Sequence, residues 1–141
     1  MINRVCTVIA LLSLLTGCVT QTVKTTAVPT LKTYTTELAS DEILDVAVVV
    51  FDPGLMETDP ENSVYPEIRR AEATFMAREL ALVLDDQGAW GASRVVPSND
   101  HIADVLINGT IEQSDGESLT LYIRATDAQG RTWLDKRYAG T

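Results

Sequence analysis

Apolar positions fall into three kinds of run along the chain. The first, Val8-Ile9-Ala10-Leu11-Leu12-Ser13-Leu14-Leu15, is almost uniformly apolar and stops at Thr16-Gly17-Cys18. The second, Asp45-Val46-Ala47-Val48-Val49-Val50-Phe51, is a β-branched stretch that ends at Asp52-Pro53-Gly54. A strand apolar on both faces belongs in the middle of a sheet covered by helices, and proline with glycine forces a turn after it. The third kind alternates. From Ser118 to Ala125, Leu119, Leu121, Ile123 and Ala125 point one way and Thr120, Tyr122 and Arg124 the other, as in a strand with one face buried.

Between these runs the period is helical. Pro66 suits a first helical position, where its missing N–H has no partner to lose. Glu67 lies in the first turn, at the positive end of the helix dipole. The pattern predicts one long helix through Ile68, Ala71, Phe75, Met76, Leu80, Leu82, Val83 and Leu84, ending before Gly88 as the residue after the C-cap. On a 3.6-residue wheel Arg70, Thr74, Arg78, Ala81 and Asp85 share the face assigned to solvent.

The remaining elements are short. Residues 90–97 read as a strand ended by Pro97, and Ser98 can cap a short helix containing His101. Asp104 to Glu112 reads as a strand, Ser114-Asp115-Gly116-Glu117 as a turn, and Asp127-Ala128-Gln129-Gly130 as a second turn with glycine where φ is positive. Arg131 to Tyr138 returns as the last strand. The expected class is α/β (α+β): a two-layer sandwich, one mixed sheet with the long helix packed on it, and a C-terminal antiparallel three-strand meander.

The start of the chain has a different meaning. A single early cation, Arg4, precedes the first apolar run, and small residues close it. This is the layout of a secretory signal, and the run is too short for a membrane span, which needs about 20 apolar residues. Leu15-Thr16-Gly17-Cys18 resembles the lipobox of bacterial lipoproteins. The resemblance implies removal of residues 1–17 and lipidation of Cys18. Val19 after the cysteine, in place of aspartate, implies sorting to the outer membrane of a Gram-negative bacterium. Residues 18–40, rich in threonine, then read as a tether of roughly 70 Å at about 3.3 Å per residue, whose tail at 31–36 has edge-strand character. The folded domain is expected over 41–141.

Composition narrows the partners. A net charge of −9 argues against nucleic acid and against electrostatic adhesion to anionic lipid. Membrane association therefore comes from the N-terminal lipid. The two cysteines, Cys6 and Cys18, leave the domain with no disulfide, thiol nucleophile or thiolate metal site. Stability has to come from an ordinary apolar core.

Candidate chemistry is sparse. Glu57, Asp59 and Glu61 cluster in a polar loop, but lack the glycine and glutamate places of a calcium loop. His101 is the one histidine, and no cysteine is left to share a zinc with it. Neither a metal nor a cofactor is expected. Tyr122, Trp133 and Tyr138 read as sheet packing in preference to an aromatic binding platform. Glu72 and Glu79 lie seven residues apart on one line of the helix, inside the arc between Phe75 and Met76. They are the candidate partner surface. The blander reading places them at the core's border, paired with an arginine from the sheet, since ionised acids are rarely buried unpaired.

Residues 103–111, followed by Leu119 and then 122–133, resemble the signature of a periplasmic α/β group. The group includes the TolB N-terminal domain, the curli secretion lipoprotein CsgG and the penicillin-binding-protein activator LpoB. The resemblance carries no catalytic residue and implies an adaptor, assembly factor or activator. Members often add a helix after the final strand, whereas this sequence stops at Gly140-Thr141, so the chain is either complete without it or the front of a longer protein. The expected function is a non-catalytic outer-membrane lipoprotein with an envelope protein partner, self-association also being compatible. Two alternatives stand beside it. One is a hydrolase using carboxylates among Asp52, Glu57, Glu72 and Glu79. The other is a subunit of a secretion or transport assembly.

Overall fold

The computed structural model describes residues 30, 38–39, 41–55 and 65–141. The signal segment, Cys18, most of the tether with its edge-strand tail, and the Glu57–Glu61 loop lie outside the described residues. What is described is one mixed sheet of five strands with a single helix on it, the expected class. The strands are β1 (Val46–Val49), β2 (Ser93–Val96), β3 (Val105–Ser114), β4 (Leu119–Asp127) and β5 (Thr132–Gly140). The helix is α1 (Pro66–Asp86).

The sheet order is β2-β1-β3-β4-β5. β1 is parallel to both neighbours, and β3, β4 and β5 form the antiparallel meander. The chain leaves β1 through α1 to reach β2, then recrosses β1 to reach β3. Two right-handed crossovers running in opposite directions must use opposite faces of the sheet. Accordingly Val46 and Val48 pack with the helix, while Ala47, Val49 and Val96 pack with Ala103 of the second crossover and with Leu106. This accounts for the uniformly apolar β1: each face has its own cover.

That second crossover corrects one expectation. Residues 97–101 form bends and a turn, not a short helix. The Ser98 hydroxyl donates to Asp100 Oδ2 at 3.2 Å and caps nothing. A link of eight residues that must span β1 has no length to spare for helical rise, about 1.5 Å per residue against about 3.3 Å extended.

The helix has the expected bounds but not the expected rotation. Its buried residues are Arg69, Ala73, Ala77 and Ala81, so Ala81, assigned to solvent, faces the sheet. Ile68, Phe75 and Leu82, assigned to the apolar side, are 56%, 60% and 50% exposed. Small side chains let the helix sit close over β1 and β3, with Met76, Leu80 and Leu84 filling in around them. Bulk alone misled the wheel, because a helix packed tightly on a sheet selects alanine where it touches.

At the opposite end of β1 the core is closed by Phe51. Beyond β1 the chain stays paired through Asp52 to Thr110, with the Ile111 amide donating to Asp52 O at 2.9 Å. The Phe51 ring then lies flat on Gly109 of β3, where a Cβ would stand 2.6 Å from three ring carbons.

Candidate functional site

The two glutamates flag one edge of α1. Arg69, buried at the start of the helix, donates from Nη2 to the Ser114 carbonyl at the end of β3, 2.9 Å away. Its Nε lies 3.3 Å from Glu72 Oε2. The other oxygen of Glu72 accepts the Ser114 hydroxyl at 3.2 Å. Glu72 thus sits at the core's border as expected, but its arginine comes from the helix and not from the sheet. The expectation failed because Arg69 is next to Arg70 in sequence, and only the rotation of α1 shows which one turns inward. Glu79, two turns on, is exposed and makes no hydrogen bond or ion pair within the described residues.

A rise of about 1.5 Å per residue puts the two carboxylates roughly 10 Å apart along the helix axis. The structure therefore does not bring them together as a proton-sharing pair. Nor does it bring Asp52 to them as part of one cluster: Asp52 Oδ1 accepts the Gly54 amide at 2.8 Å and closes its own turn. His101 is exposed on the second crossover. Among the described residues no group of three His, Cys, Asp or Glu side chains is placed to hold a metal ion.

Strands lie about 4.8 Å apart and a helix is about 10 Å across, so one helix does not span the full width of five strands. α1 packs on β2, β1 and β3, and its alanines share one core with Ile123 and Ala125 of β4. Cross-strand partners share a face, and the register pairs Leu121 with Tyr138, Ile123 with Lys136 and Ala125 with Leu134. Leu121 and Leu134 pack against the helix-side core, so this whole row lies on the helix side. Tyr138 is 43% exposed there, under the Lys136 ammonium at 5.2 Å from its ring centre. Tyr138 was expected to be packed within the sheet. Its ring instead stays partly open on the outermost strand of the sheet.

The other face of the meander is a polar ladder. Tyr122 donates to Asp135 Oδ1 at 2.6 Å, and Arg124 reaches Asp135 Oδ2 at 2.8 Å. The Tyr122 hydrogen bond, aided by Arg124, holds the Asp135 carboxyl below the usual range. The same bond raises the Tyr122 hydroxyl. Arg137 pairs with Glu112 at 2.9 Å and lies 5.3 Å from the Tyr122 ring centre. These exposed charges satisfy one another, which suits a solvated face and contributes little to stability.

Two aspartates, Asp104 and Asp127, act as braces. Asp104 Oδ2 accepts the Asp45 amide at 2.8 Å and ties the start of β3 to the start of β1. Asp127 gathers the β4–β5 turn: it accepts the amides of Gln129 and Arg131, the Arg131 guanidinium and the Trp133 indole, at 2.7–3.1 Å. Trp133 is thus held by its N–H while half its surface stays wet. Burial by itself would raise the Asp127 carboxyl, but these hydrogen bonds outweigh it and bring it from the ordinary 3.8 down to about 2. A depressed folded-state value contributes stability that is present above the unfolded value and lost as pH falls toward the folded one. The wild-type melting temperature should therefore drop between about pH 4 and about pH 2, and the Asp127→Asn profile should be flatter over that window. Parallel profiles in a thermal scan would remove Asp127 from this role.

No helix among the described residues is long and apolar enough to cross a membrane. No protein-family model and no curated protein matches the chain. Among solved structures, the chain is similar to protein XCC0632 from Xanthomonas campestris, of the family model DUF330. The identity is 14% and the TM-score 0.46, over 79% of this chain and 74% of that one.

Proposed function

We propose that this chain is an outer-membrane lipoprotein whose small α/β domain binds a protein partner in the cell envelope without catalysing a reaction. The observation that carries the binding part is the exposed apolar crest of α1, where Ile68, Phe75 and Leu82 are 56%, 60% and 50% exposed. A domain of this size commonly covers such a face, and an apolar face left open in a folded chain marks an interaction surface. The address rests on the sequence: the apolar run after Arg4, and Leu15-Thr16-Gly17-Cys18 at its end. The resemblance of residues 103–133 to the TolB, CsgG and LpoB group supports an adaptor, assembly factor or activator over an enzyme. The hydrogen-bonding aspartates of this stretch are used up in bracing turns and strand ends.

One acyl chain holds a protein to a bilayer only weakly, whereas several hold it essentially permanently, each buried CH₂ contributing about 0.8 kcal/mol. Radiolabelled palmitate fed to a Gram-negative host should label the wild-type chain. The Cys18→Ser variant should lose the label and leave the membrane pellet. An unlabelled wild-type chain that still carries residues 1–17 would overturn the reading.

A further inference from the structure

The two edges of the sheet differ. β2 is four residues long and is followed by Pro97, so that edge offers little to pair with. β5 is nine residues long and contains no proline. Among the described residues no strand pairs with its outer side. α1 packs on β2, β1 and β3, so no helix stands across the β5 edge. Native edges are usually guarded, often by charge. β5 carries Asp135-Lys136-Arg137, but two of these three are drawn back over the sheet. Asp135 holds Tyr122 and Arg124, and Arg137 holds Glu112. Lys136 rests over the ring of Tyr138.

The order of side chains along this edge is complementary to itself. Around Lys136 the strand reads Leu134-Asp135-Lys136-Arg137-Tyr138. A second copy, turned half a turn and paired antiparallel at Lys136, sets Asp135 opposite its Arg137 and Leu134 opposite its Tyr138, each twice. Opposite charges and apolar–aromatic pairs directly across from each other are favourable. The one like pair is Lys136 with itself, on the two-fold axis. Registers centred on Asp135 or Arg137 also oppose like charges at the axis, and they form no Asp–Arg pair. The two charges still have capacity to spare. Asp135 Oδ1 accepts only Tyr122, while a carboxylate offers about four lone-pair sites. Arg137 engages Glu112 through Nε alone, leaving its Nη groups to point elsewhere. Their side chains are 41% and 68% exposed. Sign already alternates outward from Arg124 to Asp135, and Arg137 of the second copy continues it.

We infer that two copies of this chain join edge to edge through β5, antiparallel about Lys136, in one continuous sheet with both helices on the same face. The contact is isologous, as a two-fold axis requires. Main-chain hydrogen bonds supply the attraction of strand addition, and the side chains fix the register. A foreign strand could use the same backbone groups, but it has no need of the Asp-Lys-Arg order, whose self-complementarity selects a second copy. The inference goes beyond the envelope partner proposed above and is independent of it, since that reading rests on the crest of α1.

The test uses the full chain with Cys6→Ser and Cys18→Ser, so that an introduced thiol is the only one. Lys136→Cys should give a disulfide-linked dimer on oxidation, because residue 136 meets itself at the axis. Thr132→Cys should not. Thr132 stands opposite Gly140 in this register, so its two copies lie roughly 27 Å apart, beyond the reach of a disulfide. In sedimentation without introduced thiols, the chain should dimerise reversibly. Asp135→Arg and Arg137→Asp should each weaken the dimer about tenfold, since both cross-strand ion pairs turn repulsive. Mixing the two variants should restore it, because each chain then offers the charges the other lacks. A monomer at every concentration, Thr132→Cys crosslinking as readily as Lys136→Cys, or a mixture no tighter than its components would overturn the inference. Palmitate labelling of the wild-type chain is indifferent to these outcomes, so the lipoprotein reading stands or falls separately.

Discussion

Replacing Phe51 by alanine is expected to destabilise the domain by about 3–5 kcal/mol, the usual cost of emptying a buried aromatic site. Phe51 is 3% exposed and closes the core where β1 ends, with its ring against the backbone of Gly109. Gly109→Ala should also destabilise, by about 1–3 kcal/mol, because its Cβ would lie 2.6 Å from three ring carbons, and neither strand can give way without breaking the β1–β3 ladder. The two costs should not add. With the ring gone, the alanine methyl at 109 enters vacated space, so Gly109→Ala measured in the Phe51→Ala background should cost well under 1 kcal/mol. Urea unfolding of the four chains measures the coupling, since contacting residues typically show 0.5–3 kcal/mol of it. Additive values would mean that the ring does not press on Gly109 and that the end of β1 is packed some other way.

This pair also shows how much was legible. The β-branched run through Phe51 announced a central strand, and the turn at Asp52-Pro53-Gly54 announced its end. Nothing along the sequence announced that Gly109 exists to receive Phe51, because the contact joins positions brought together only by parallel pairing. The meander was readable almost to the residue, since period-2 alternation and glycine turns at Gly116 and Gly130 are local signals. The second crossover was misread as helical because a Ser-Asn-Asp cluster caps turns as readily as helices. The Asp104 and Asp127 positions were seen as a shared pattern. Their physical job, satisfying strand-end amides and an indole N–H, needed the geometry.

The candidate surface was half legible. Glu72 and Glu79 were picked out from their place on the wheel; Glu72 lies at the core's border beside Arg69 and Ser114, and Glu79 is exposed. Ile68, Phe75 and Leu82 recur every seven residues and were read as core. They are the helix's outer crest, and the true contact stripe of alanines carries too little hydrophobicity to stand out beside them.

The rotation of α1 can be tested directly with one substitution made twice. Ala77 is 0% exposed over the sheet, and Ala71 faces solvent on the crest. Leucine and alanine are both strong helix formers, so helix propensity alone changes little in either case. Ala77→Leu forces a larger side chain between the helix and β1 or β3, where neighbours such as Ala73 and Ala81 leave no slack. It should destabilise by about 1–3 kcal/mol, or tilt the helix away and lower the cooperativity of unfolding. Ala71→Leu adds an apolar side chain beside the crest and should stay within about 0.5 kcal/mol of wild type. The wheel drawn from bulk alone demands the opposite order, with Ala71 inside. Urea midpoints for the two variants thus separate the orientations cleanly. If Ala71→Leu proves the more damaging change, α1 is turned the other way, and Ile68, Phe75 and Leu82 no longer form its exposed crest.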